Sequence, residues 1–167
     1  MRMDIQPGRG HIKVGPPGGP AETIPSSVTI SVTDTTPYDV EVLLEWSATY
    51  GKLAIRRICY TALPGEDDVS PTVIARLGLR DTIQTALETE YLGGTGWPGL
   101  LDKHNDDDPI AVDALIYLLA IAFQSPKPTA TVAIARGLSP ASGPKRVLAA
   151  RKAGLLPETE PGKPAGA

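Results

Sequence analysis

A chain of 167 residues has room for one ordinary domain or two small ones that lean on each other, and 41% hydrophobic with 21% charged residues is a globular balance. The 17 Gly, 17 Pro and single Phe assign a good share of it to loops, and a single cysteine, Cys59, excludes an internal disulfide framework or a cysteine-based zinc site and suits a reducing compartment. A formal net charge of -3 would argue against nucleic acid if it were evenly spread.

The N-terminal MRMDIQPGRGHIKVG has no apolar stretch of the signal-peptide kind, so the expected location is the cytoplasm. GPPGGP follows, where proline lacks a donor and glycine costs entropy, and residues 1–24 read as a flexible tail. From Ser27 to Thr33, SVTISVT alternates with the period of a strand that buries one face. A second strand starts near Tyr38, with Val40, Val42, Leu44 and Trp46 on one face and Glu41, Leu43 and Glu45 on the other. Beyond a turn at Tyr50-Gly51, Leu53, Ile55, Arg57 and Cys59 alternate with Ala54, Arg56, Ile58 and Tyr60, which completes a β-hairpin.

Such a meander is marginal alone and needs a covering helix. Ser70-Pro71 gives a capped start, and the helical pattern resumes at Leu79 through Ile83, Ala86, Leu87 and Tyr91, so residues 25–92 form one hairpin-plus-helix unit. GGTGWPGLLDKHNDDD, residues 93–108, reads as a linker. It spells GxGxxG, but no strand leads into it and Pro98 interrupts a helix start, so the dinucleotide context is missing. Asp102, His104, Asp106, Asp107 and Asp108 match no calcium-loop spacing and read as solvated acids ahead of a helix. With His11 in the tail and His104 in the linker, no histidine-based triad is placed; the reading is a non-enzyme with no cofactor and no metal.

Asp108-Pro109 starts the next helix, PIAVDALIYLLAIAF, apolar almost all round yet too short for a bilayer, which needs roughly 20 residues; it reads as a buried central helix. Here the charge asymmetry appears: residues 64–125 hold three bases and eleven acids, whereas 126–167 hold seven bases and two acids. A basic end beside an acidic middle is expected when one segment meets a polyanion. In PKPTATVAIARGLSPASGPKRVLAARKAGLL, Thr129 caps a short helix through Arg136, Gly137 takes the left-handed turn, Leu138 plugs the corner and Ser139 begins the return. A second helix runs to Ala153 with Gly154 as its stop; Val147 and Ala150 face inward, Leu148 lies at the margin, and Lys145, Ala149 and Lys152 face out with Arg146 beside them.

Pro128-Thr129, Val132-Ala133, Gly137-Leu138-Ser139, Ala150-Arg151 and Gly154-Leu155-Leu156 form a series that resembles the C-terminal helix-turn-helix of a group of actinobacterial and actinophage proteins. The likeness extends loosely upstream to the hairpin and to Val69-Ser70, Leu79 and Ile83. It implies binding of double-stranded DNA, as in transcriptional control. Gly143-Pro144 departs from that series where helix-forming residues are usual, so the second helix is expected to begin near Ser142 and span about three turns. Lys145 and Lys152 are then assigned to phosphate or base edges, Arg146 to a phosphate or a guanine, and Ser139 and Ser142 to the DNA backbone or to plain helix caps. Lys127 is a phosphate contact or a solvated charge, and Arg151 a structural pairing.

The expected architecture is α+β: an N-terminal β-hairpin or meander with a covering helix, and a C-terminal three-helix, helix-turn-helix-like unit over 109–156, with 157–167 a disordered tail. A homodimer is expected, because one short reading helix covers few base pairs. The alternative is a protein-interaction or structural module whose helical pair no longer enters a groove.

Overall fold

The computed structural model describes residues 2–33, 38–65, 78–92 and 95–158. It is mixed α+β: antiparallel strands first, then helices. Four strands form one sheet in the order β1-β4-β5-β6, with β1 Arg2–Pro7, β4 Ser27–Thr33, β5 Tyr38–Ser47 and β6 Lys52–Ala62; β2 His11–Val14 and β3 Glu22–Pro25 form a small separate hairpin. The first 24 residues are therefore not a tail. β1 pairs with β4 from Arg2↔Thr33 to Pro7↔Val28, and GPPGGP makes the β2–β3 turn, with the Gly19 amide donating to the Pro16 carbonyl and Gly18 at φ 68.

Alternation along β4 and β5 sends Val28, Ile30, Val32, Val40, Val42 and Leu44 into the core, as the sequence pattern requires. On β6 the pattern breaks. Leu44 pairs with Ile55 but Leu43 pairs with Arg57, so Arg56 is an extra residue, a bulge that reverses which face the rest of the strand presents. Ile55 and Ile58, expected on opposite faces, share the core-side face of the sheet, opposite Leu44 and Val42.

Five α-helices follow among the described residues: α1 Leu79–Tyr91, α2 Gly96–Lys103, α3 Pro109–Ala122, α4 Pro128–Ala135 and α5 Gly143–Lys152. The expected Ser70-Pro71 start lies outside the described residues, as do residues 159–167. α1 buries Ile83, Ala86 and Leu87 and touches β1, so it is the covering helix. The expected linker at 93–108 holds α2: Pro98 is the third residue of the helix, in the first turn where no N–H partner is needed, and so is accommodated by the helix it was expected to interrupt.

α3 is buried almost all round and starts as predicted, the Asp108 carboxylate accepting from the Ile110 amide at 3.2 Å. It ends on Gln124 at φ 63, a left-handed residue that is not glycine. The Gln124 side-chain amide donates to the Leu53 carbonyl of β6 at 2.6 Å, tying the helix end to the sheet. One continuous core runs from Val14 and Ile24 of the small hairpin, through the sheet, to Val147 and Leu156. Among the described residues no helix is long and apolar enough to cross a membrane.

Candidate nucleic-acid interface

The helical pair is made by local chemistry. Pro128 stands in the first turn of α4 with Lys127 at the cap position, so Thr129 is not the cap; the Ser125 and Thr131 hydroxyls meet 3.1 Å apart, and Ser125 Oγ accepts from the Lys127 amide. α4 ends in a Schellman motif: Gly137 at φ 68 donates to Ile134, and Leu138 donates back to Ala133 at 2.9 Å. Leu138 does not plug the corner. It lies one residue past the turn with 41% of its surface exposed.

Ser139 is extended and exposed, and Pro140–Ser142 forms a single 3-10 turn leading into α5. The Ser142 hydroxyl donates to the Ser139 carbonyl at 2.6 Å inside the turn, and although Ser142 stands at the cap position of α5 its side chain makes no cap hydrogen bond, so the expected cap role is not the one it plays. α5 begins where Gly143-Pro144 predicts and stops at Gly154, φ 72, in a second Schellman motif. The glycine at 143 has a packing reason. A Cβ on Gly143 would run into the Thr129 carbonyl of α4, so only glycine lets the two helices approach this closely.

Val147 and Ala150 are buried as expected, while Lys145 and Lys152 point outward. Between them Leu148 is 50% exposed rather than marginal, and Ile134 of α4 is 57% exposed. Lys127 is exposed at the start of α4.

Arg146 does not stand among the outward bases as expected. Its Nη1 donates to Asp113 Oδ2 of α3 at 2.7 Å, and Arg136 Nε donates to Oδ1 of the same carboxylate at 2.8 Å. Asp113 is only 5% exposed, so one buried carboxylate is clasped by a guanidinium from the end of α4 and another from α5. Arg136 also donates to the Pro109 carbonyl at 3.0 Å. Arg151 packs as expected, its guanidinium 5.7 Å from the Tyr117 ring centre and bonded to the Tyr117 hydroxyl at 3.3 Å. Thus Arg136, Arg146 and Arg151 bind the pair to α3, and Lys127, Lys145 and Lys152 remain on the surface. The helical wheel of α5 could not show this, because Asp113 comes from another helix. A lone aspartate inside PIAVDALIYLLAIAF was the available signal.

A second polar cluster joins the small hairpin to the helices. The largely covered His104 ring faces Glu22 Oε1 through Nε2 and Asp107 Oδ2 through Nδ1, each at 2.7 Å, while Lys103 donates to Glu22 Oε2 at 2.7 Å. With both ring nitrogens taken up by carboxylates, neither is free to serve a hydroxyl nucleophile. Burial pushes the Glu22 carboxyl up, but the hydrogen bonds and charges of Lys103 and His104 hold it below its ordinary value of 4.5. A carboxyl lowered by folding contributes stability above its unfolded value and loses it as pH falls through the folded one. Glu22→Gln is therefore expected to lower stability at neutral pH by roughly 1–2 kcal/mol, and the difference from the unaltered chain to shrink as the pH falls below 4.5 and to be lost once the pH has passed the lowered folded value. Urea unfolding of both proteins across pH reads this directly; an equal loss at every pH would deny Glu22 the role.

No family model, no curated protein and no solved structure matches the chain.

Proposed function

We propose that this chain is a non-enzymatic, DNA-binding protein of the cytoplasm that presents α5 to the major groove, as a transcriptional regulator does, and acts as a homodimer. The observation that carries the reading is the left-handed turn at Gly137, which joins two short helices so that α5 buries Val147 and Ala150 and turns Lys145, Leu148 and Lys152 outward. Lysines at the two ends of an exposed face fit phosphates on either side of a groove, and a leucine between them fits a thymine methyl. The resemblance of Pro128-Thr129, Gly137-Leu138-Ser139 and Gly154-Leu155-Leu156 to the helix-turn-helix group supports the same reading.

The exposed Ile134, Leu138 and Leu148 favour a second one, a protein-interaction module whose helical pair packs on an apolar partner. Salt separates the two, since binding to phosphates releases counterions and apolar packing does not. In fluorescence anisotropy with labelled duplexes, DNA affinity should fall steeply as salt rises. Lys145→Ala/Lys152→Ala should make that slope shallower by about 0.9 for each phosphate that is no longer neutralised. Absence of binding to pooled genomic fragments even at low salt would reject the DNA reading and leave the apolar one.

A further inference from the structure

We propose that β6 is the surface on which two copies of this chain join, edge to edge, so that their sheets continue as one across a two-fold axis. The inference stands whether or not α5 binds DNA.

β6 is the last strand of the order β1-β4-β5-β6, and among the described residues it pairs only with β5. With 11 residues it is the longest strand, and its outer edge offers a row of backbone donors and acceptors that only another strand can match in full. Exposure runs unbroken from Ile55 to Cys59, on both faces, where β5 beside it alternates between buried and half-buried positions from Tyr38 to Leu44. Ile55 is 41% and Ile58 36% exposed although they pair with the fully buried Leu44 and Val42, so the core-side face of the sheet runs out uncovered at this edge.

Edges of monomeric sheets are ordinarily guarded by charge, proline or a bulge. β1, at the other edge, carries Arg2, Asp4 and Pro7. On β6 the guards stop early: Arg56 is the bulge and is paired with Glu45 at 3.3 Å, and Arg57 is paired with Glu41 at 3.2 Å. From Ile58 to Ala62 the strand has no charge and no proline, and its pairing with β5 is regular.

The partner that fits is a second copy, because the edge complements itself. In an antiparallel pair about a two-fold axis, facing residues must lie on the same side of the sheet, so the axis passes through a residue and not between two. Centred on Cys59, Ile58 meets the partner's Tyr60 and Arg57 meets the partner's Thr61, which supplies aromatic-to-branched contacts and opposes no like charges. Centred on Ile58, the bulged Arg56 would have to face the partner's Tyr60 and break the ladder; centred on Tyr60, Ile58 would meet only the partner's Ala62. The Cys59 register is thus the one that brings Ile58 onto the partner's Tyr60 while leaving the bulged Arg56 at the end of the ladder, opposite the partner's Ala62, and its closed two-fold contact limits assembly to a dimer.

Sedimentation equilibrium of the full chain, with a short bis-maleimide as thiol bridge, tests this. Expected are a dimer, a cross-link between the two exposed Cys59 thiols, and a dimer dissociation constant at least about tenfold higher in Ile58→Lys, with circular dichroism unchanged. Leu148→Lys, on α5, should leave the dimer intact. A monomer at every concentration overturns the proposal, as does a dimer that Cys59 does not bridge and Ile58→Lys does not weaken. A dimer weakened by Ile58→Lys but not bridged overturns the register. Should Ile58→Lys fail to fold, bridging in the unaltered dimer decides alone.

Discussion

Asp113→Ala is expected to cost roughly 3–5 kcal/mol, the usual penalty for breaking a buried ion pair by removing one partner. The carboxylate accepts from Arg136 at 2.8 Å and from Arg146 at 2.7 Å, and both guanidiniums are themselves largely covered. Without it two cations face each other across a vacated site, and the ends of α4 and α5 lose their shared attachment to α3. Urea unfolding measures the loss. Replacing all three residues together, by Asp113→Leu, Arg136→Leu and Arg146→Met, should recover much of it, since apolar groups of similar volume often match a buried network. A loss below about 1 kcal/mol for Asp113→Ala would mean that the clasp does not hold the pair together. DNA binding of Arg146→Ala should fall only in step with folding, unlike that of the Lys145 and Lys152 variants.

The second large effect is expected at Gly143. An alanine there would press its methyl group on the Thr129 carbonyl and stand 2.9 Å from the carbonyl carbon, both backbone atoms of a packed helix that cannot swing aside. Overpacking of this kind costs about 1–3 kcal/mol, and Gly143→Val, which adds two methyl groups to a Cβ already in collision, should exceed Gly143→Ala. Gly137 makes the contrast. At φ 68 with nothing within 4 Å of an added Cβ, Gly137→Ala should cost only the backbone strain, about 1 kcal/mol. Thermal unfolding of the three variants, ranked Gly143→Val, Gly143→Ala, Gly137→Ala from least to most stable, checks the packing account. Equal losses at 143 and 137 would reduce Gly143 to an ordinary flexible turn.

What could be read in the sequence was what neighbours along the chain decide. The strand at Ser27–Thr33, the cap Asp108-Pro109, the α5 start near Ser142 and the stop at Gly154 all follow from residues within a few positions of the feature. What could not be read depends on residues far apart. β1 is a strand because Arg2–Pro7 finds β4 on the far side of GPPGGP, and the proline-glycine run that signals a tail also serves as a hairpin turn. Pro98 reads as a breaker until its place in the first turn of α2 is known. The bulge at Arg56 carries no local mark, yet it moves Ile58 to the other face from the one that simple alternation assigns. In the candidate site the outward lysines were legible from the wheel of α5, whereas Arg146 was misassigned because the wheel knows nothing of α3.

α3 belongs to both halves of this protein at once: it holds the two short helices through Asp113 and Tyr117, and it lies against β2 and β6 as well. A fragment cut at Asp108 to isolate the last three helices would keep the lysines and the turn but strip α3 of the strands that shield it. Its nearly all-apolar surface would then meet water, and the shortened product would clump or melt where the intact chain folds. Experiments on the basic end of this molecule are accordingly experiments on the whole of it.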